Sequence, residues 1–194
     1  MHSIDTIRKT IQSYSHTPLE NGALTQAAVL IPLLQTENGL DLLLTVRTDD
    51  VAHHKGQVAF PGGAREPQDN SPQMTALRET EEELALPPNQ VEILGRIDDM
   101  WTPTGFIVTP IVGYLPGLPG LDPQPSEVSE YFTVPLSFFM NDSNGYTQTY
   151  QRGCLKTDVW FYDYGSYTVW GVTAFIIRNL LSILLEKPAP NDID

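Results

Sequence analysis

Four carboxylates fall within five positions of the stretch Arg78-Glu79-Thr80-Glu81-Glu82-Glu83-Leu84-Ala85-Leu86. An α-helix advances about 100° per residue, so with Glu79 as origin Glu82 falls at about 300° and Glu83 at about 40°, while Glu81 falls at about 200°. Three acids therefore share one narrow arc and the fourth points away. Ala76, Leu77, Thr80 and Leu84 form the adjoining apolar stripe, which places Glu83 at the edge of the core. The plain alternative is a solvated acidic face with Arg78 pairing Glu82 at i, i+4. That reading explains less, because like charges three and four apart destabilise a helix and acids favour its first turn rather than its last. A hard divalent cation accounts for the arrangement, since magnesium and manganese take carboxylate oxygens together with water and phosphate. Upstream, Gly56-Gln57-Val58-Ala59-Phe60 reads as a short strand running into Pro61-Gly62-Gly63, whose glycines let backbone approach a ligand closely.

The elements that must position these residues follow from pattern. Ser71-Pro72 is a cap and first-turn pair for a helix that runs to about Ala85 and stops before Pro87-Pro88. "QAAVLIPLL" and "GLDLLLTVR" flank Asn38-Gly39 as a hairpin. "VEILGRI" and "GFIVTPIVGYL" read as strands joined by the loop "DDMWTPT", and "PGLPGLDPQPSE" reads as a further loop. "YFTVPLSFFM" is a strand leading into a helical turn, "YTQTYQ" and "DVWFYDY" a second hairpin, and "TVWGVTAFIIRNLLSILLEK" a C-terminal helix. An N-terminal helix over residues 3–14 is capped by Ser3, and the tail 188–194 is frayed. Mixed strands, hairpins and helices predict an α/β architecture with a mixed sheet between helices.

The chain has 194 residues, 41% hydrophobic and 18% charged, which suits one globular domain over 1–194. Its 11 Lys and Arg against 24 Asp and Glu leave a net charge of −13. That balance argues against nucleic acid or an anionic membrane surface as partner, but not against an anionic small molecule met by a cation or a few local basic groups. Cys154, the one cysteine, permits no internal disulfide and no multi-cysteine zinc site, which fits a reducing cytoplasm. Neither a signal peptide nor a bilayer-spanning run is read from the sequence.

With these residues in place, the sequence resembles the Nudix hydrolases. Their box reads Gly, five residues, Glu, seven residues, then Arg-Glu-U-x-Glu-Glu-x-Gly-U, where U is apolar. Gly63 begins it, Asp69 stands at the acidic position, Arg78-Glu79 and Glu82-Glu83 match its core, and Leu86 matches its end. The gap from Asp69 to Arg78 is one residue longer than the pattern, Asp replaces Glu, Thr80 stands at an apolar position and Ala85 replaces the late Gly. Upstream, "LLTVRTDDVAHHKGQVAFPGG" is similar to the motif of the coenzyme A pyrophosphatase branch, matching at Leu43, Leu44, Thr45, Arg47, Gly56 and Phe60 to Gly63. Ala52 stands where that branch has a second Arg, with His53, His54 and Lys55 as candidate replacements.

The resemblance implies an α/β/α Nudix fold and hydrolysis of a nucleoside diphosphate linked to another group. In this branch the substrate is coenzyme A or a thioester, giving 3′,5′-ADP and a 4′-phosphopantetheine product, with Mg2+ or Mn2+ as cofactor. Glu79, Glu82 and Glu83 are carried over as metal ligands and Arg78 as the residue that orients them. Glu82 and Glu127 are both candidates for the base. Gly62, Gly63, Arg47, His54 and Lys55 are candidates for substrate binding, Arg47 having surface pairing with Asp49 or Asp50 as its alternative. Rival activities are a Nudix hydrolase of ADP-ribose, dinucleotides or oxidised nucleotides, and a non-catalytic nucleotide-binding regulator, which intact glutamates disfavour. Trp101 and Phe106 suit adenine stacking or, more commonly, core packing; Trp170 reads as core at the start of the last helix, and Cys154 as a structural thiol. A homodimer is compatible, and a role for the N-terminal helix in it is left open.

Overall fold

The computed structural model describes residues 3–48, 56–152 and 155–188. Its centre is β1 (Thr25–Thr36), which pairs antiparallel with β2 (Gly39–Arg47) and parallel with β7 (Phe106–Leu115). A strand between such neighbours is covered on both faces, which is why "AAVLIPLL" reads as an unbroken apolar run rather than an alternating one. The β1–β2 turn closes at Thr36 and Gly39, and Gly39 takes φ of 126°.

Around this centre the sheet is completed by β3 (Val58–Ala59) on β2, β4 (Gly62–Ala64) on β1, β5 (Glu92–Arg96) and β6 (Met100–Trp101) on β7, and β8 (Val128–Pro135) on β2. The strand expected over 56–60 is thus only two residues long, and the loop "DDMWTPT" contains a short paired segment. A second, three-stranded antiparallel sheet is formed by β9 (Gly145–Arg152), β10 (Leu155–Tyr164) and β11 (Tyr167–Trp170). Here the sequence expectation needs correction: Trp170 ends a strand, half-buried, and the last helix, α4, begins at Gly171 and ends at Leu184. β-branched Thr168 and Val169 between Tyr167 and Trp170 suit a strand, and the Gly171 φ of 61° breaks any helical continuation.

Alternation along β1 sorts the layers. Ala28, Leu30 and Leu34 pack with Ala76 and Leu84 of α2 (Pro72–Leu84), while Ile31 and Leu33 pack with Ile7 and Ile11 of α1 (Ile4–Ser13) and with α4. α3 (Leu136–Met140) follows β8 and packs on the α4 side, with Leu136 and Phe139 in the same core. The result is a mixed sheet between helical layers, an α/β arrangement. No helix among the described residues is long and apolar enough to cross a membrane.

Candidate active site

α2 is set by its ends. Ser71 accepts from the Met74 amide at 3.2 Å, and Pro72 stands in the first turn. Ala85 ends it at φ 53°, ψ 31°, donating its N–H to the Glu81 carbonyl at 2.8 Å. The other late carbonyls are satisfied from outside the helix. The Asp122 amide donates to Leu84 and the Gln124 amide to Glu83, at 3.0 and 2.9 Å. The Pro- and Gly-rich loop is therefore the cap of the carboxylate helix, a role its composition gave no reason to expect. That docking also brings Glu127 within electrostatic reach of Glu79 and Glu83, and the Glu127 carbonyl accepts from the Thr48 amide at the end of β2.

Gly62 and Gly63 sit beneath this helix for steric reasons. A side chain on Gly62 would run into the Ala28 carbonyl and the Val29 backbone, and φ there is 150°. A Cβ on Gly63 would lie 2.5 Å from the Glu79 carboxyl group. The pair thus lets β4 pass directly under the acids, and the Gly62 amide donates to Glu83 Oε2 at 3.2 Å.

The glutamates, neighbours on the helical arc, have different surroundings. Glu83 is 3% exposed and faces Arg47, whose Nη1 lies 3.7 Å from Oε1. Burial pushes its carboxyl group up to about 8, with Glu79 and Glu127 adding to the rise and the Arg47 charge and the Gly62 amide opposing it. Glu79 is also raised, chiefly by burial, against the pull of Arg78. Glu82 is 57% exposed and is held by Arg78 Nη1 at 2.9 Å. Thr80, the polar residue at an apolar position, donates its hydroxyl to the Ala76 carbonyl at 2.6 Å, so it packs its methyl without an unmet donor.

Arg78 is the hub of the cluster. Beyond Glu82 it bonds Glu79 Oε1 at 2.9 Å, the Ala64 carbonyl at 3.1 Å, and both oxygens of Asp69 at 3.2 and 3.1 Å. Asp69 is 3% exposed and sealed by its own hydrogen-bonding partners. The Arg78 guanidinium is the main cause holding its carboxyl group down to about 2, with the Glu66 amide helping and burial opposing. The extra residue between Asp69 and Arg78 is absorbed in a turn: the Asp69 amide donates to the Glu66 carbonyl, the Glu66 amide returns a bond to Asp69 Oδ2, and Arg65 Nε donates to the Asp69 carbonyl. Asp69 thus serves as buried counter-ion to Arg78, and Arg65, which spacing did not single out, clamps that turn.

Other candidates stand apart. Trp101 is 40% exposed on β6 rather than in the core, while Phe106 packs partly buried against the main core. Asp49, Asp50, Ala52, His53, His54, Lys55 and Cys154 lie outside the described residues.

The profile of the NUDIX domain matches residues 24–148. The chain belongs to the Nudix family. Curated Nudix relatives agree: it is 42% identical over 154 residues to the "Uncharacterized Nudix hydrolase NudL" of Photorhabdus laumondii, covering 79% of this chain and 82% of that one. It is 44% identical over 163 residues to the protein of the same name from Enterobacter sp., covering 84% of each. Among solved structures, a Nudix hydrolase from M. smegmatis, RenU, superposes with a TM-score of 0.51 at 23% identity, over 59% of this chain and 72% of that one. A Nudix hydrolase from Alicyclobacillus acidocaldarius gives 0.50 at 20% identity, over 62% and 84%. These structures speak for the fold. As a Nudix hydrolase the chain cleaves diphosphate bonds in small nucleotides, with a divalent metal ion as the family's usual cofactor.

Among the described residues, no three Asp, Glu, His or Cys side chains already sit close enough to hold a metal ion between them. The donor chemistry nevertheless fits one. All donors are carboxylate oxygens, and two of the carboxylates, Glu79 and Glu83, are ionised only against an electrostatic cost that a nearby cation removes. Glu82 stands exposed one turn from Glu79 on the same helix, bonded to Arg78.

Proposed function

We propose that this Nudix enzyme hydrolyses the diphosphate of coenzyme A or its thioesters to 3′,5′-ADP and 4′-phosphopantetheine or its acyl derivative. The observation that carries this reading is the placement of Arg47. It belongs to the branch-like motif on β2, and its guanidinium faces the carboxylate cluster, with Nη1 3.7 Å from Glu83 Oε1. A guanidinium that faces the carboxylates can bind a phosphate oxygen, for which its planar fork is suited.

In this reading Glu79, Glu82 and Glu83 would hold Mg2+ or Mn2+. When bound, such an ion neutralises the diphosphate and makes a water more acidic. The chain's own residues do the rest. Gly62 and Gly63 leave room for the substrate's phosphates against β4, and Arg47 orients one of them. Arg78, fixed by Asp69, keeps Glu79 in place. Glu127, carried in by its loop, or Glu82 takes the proton from the attacking water. The single cysteine suits work in a reducing cytoplasm.

The test is incubation with magnesium and, separately, coenzyme A, ADP-ribose and nucleoside triphosphates, with products resolved by chromatography. Release of 3′,5′-ADP from coenzyme A at the highest kcat/KM is expected. Turnover of the other compounds without coenzyme A would overturn the substrate assignment.

A further inference from the structure

The three-stranded sheet ends on β9, which pairs with β10 and has no strand on its other side among the described residues. Its register with β10 is unbroken from Gly145 opposite Tyr162 to Arg152 opposite Leu155. An outer strand turns alternate backbone N–H and C=O groups away from its sheet, and proteins guard such strands with charge, proline or a bulge. β9 has none of these guards over residues 145–151. The stretch Gly-Tyr-Thr-Gln-Thr-Tyr-Gln carries neither charge nor proline, and its ladder contains no bulge. Residues Tyr146 to Tyr150 are all exposed, the two tyrosines at 40% and 49%. The nearest acids of β10 are drawn back onto their own sheet. Asp163 accepts from the Tyr146 hydroxyl at 3.0 Å, and Asp158 accepts from the Thr149 hydroxyl at 2.6 Å.

The order of residues along this edge selects its partner. Tyr146-Thr147-Gln148-Thr149-Tyr150 reads the same in both directions. Two antiparallel copies of one strand, related by a two-fold axis through Gln148, set Gln148 against Gln148, Thr147 against Thr149 and Tyr146 against Tyr150. Aromatic pairs and threonine pairs are cross-strand combinations that stabilise an antiparallel ladder. A shift of two residues sets tyrosine against glutamine instead. On the ring face the pairing also prolongs a row that each copy already holds. Phe161 stands between Tyr146 and Trp170 in the ladders, its ring 5.4 and 5.9 Å from theirs, and Tyr150 of the second copy falls next in line beyond Tyr146. Charge points the same way. A chain of net charge −13 repels its own copies, so two of them meet most readily through an uncharged stretch.

We propose that the partner of β9 is β9 of a second copy of this chain, the two small sheets joining into one continuous sheet about an axis at Gln148. The pairing does not depend on which nucleotide the enzyme cleaves.

Sedimentation velocity of the full chain over a dilution series tests it. The native chain should sediment as a dimer that dissociates on dilution. Gln148→Lys and Gln148→Glu each bring like charges face to face on the axis and should weaken the dimer about tenfold or more. Each should keep the native far-ultraviolet circular dichroism, because Gln148 is exposed. Mixed in equal amounts, the two variants should restore the dimer, since lysine then faces glutamate. A native chain that is monomeric at every concentration, a dimer that both charge changes leave intact, or a mixture that stays monomeric would each overturn the pairing.

Discussion

On one face of the main sheet α4 buries seven apolar residues, among them Ala174, Ile177 and Leu180, and three uncharged polar ones, Thr173, Asn179 and Ser182; on the other α2 buries Thr75, Thr80 and Glu83 beside Ala76 and Leu84. The first layer repeats the apolar partners across from it. The second gives three of the five buried places on α2 to polar groups, encloses the Arg78–Asp69 pair, and holds Glu83 where its charge is disfavoured. The difference teaches where stability and activity reside. The α4 layer supplies packing, whereas the α2 layer keeps carboxylates under a tension that a cation relieves. Changes in the two layers should therefore separate the two properties.

Glu83→Gln gives the largest separation. The carboxamide keeps an acceptor for the Gly62 amide and removes a charge that burial opposes, so thermal stability should not fall. Hydrolysis of the preferred substrate with magnesium should fall on the order of a hundredfold or more under the proposal that Glu83 holds the metal. A variant that loses stability and keeps its rate would erase the contrast. The mirror experiment is Leu180→Ala in the wholly buried α4 layer. It should cost about 3 kcal/mol in denaturant unfolding through lost burial and the cavity left behind, with kcat little changed in the folded protein.

Asp69→Asn probes the polar part of the α2 layer. At pH 7 it should cost about 2 kcal/mol, because Arg78 loses an ionic, doubly bonded partner in an enclosed place. The sign of the pH dependence follows from the depressed carboxyl group. With a folded value of about 2, below the ordinary value of about 3.9, the stabilisation is complete above pH 4 and fades as pH falls toward 2. Unfolding of the native chain and of the variant at pH 7, 4 and 2.5 should show the gap narrowing with acid. A gap independent of pH would assign the loss to packing instead.

How much of this was legible in the sequence differs between the same two layers. The apolar periods of β1, β2, β7 and α4 announce their burial, because hydrocarbon packing repeats with the element's own period. The strand Tyr167–Trp170 was merged with the helix that follows it, because four residues running straight into a helix are too few to show a period of their own, and Gly171 was the available stop signal. In the α2 layer, helix geometry separated Glu81 from the other acids and put Glu83 at the core edge. It could not show that Arg47 turns to Glu83 from a distant strand, or that residues 122–124 cap α2. Those contacts join segments far apart in the chain and leave no periodic trace. Asp69 was visible as an acid near the right spacing, but its burial depended on a turn that spacing alone does not specify.

The smallest test concerns how the two helices end. Both stop in a left-handed residue that is not glycine: Ala85 at φ 53° after α2, and Glu186 at φ 52° after α4. After α4 the Lys187 amide reaches back to the Ser182 carbonyl at 2.9 Å, the six-residue closure of a Schellman turn. After α2 the Ala85 amide alone reaches Glu81, and Leu86 is then buried against the α2 layer. An L-residue in this conformation carries a strain of about 1–2 kcal/mol that glycine lacks, while glycine loses about 0.4–1 kcal/mol through its freer unfolded chain. Ala85→Gly should therefore raise stability by about 0.5–1 kcal/mol, seen as a higher midpoint in urea with an unchanged slope, and Glu186→Gly should do the same. If only Glu186→Gly stabilises, then Ala85 contributes packing at the end of α2 that offsets its strain. The α2 layer would in that case be better fitted than its buried charges suggest.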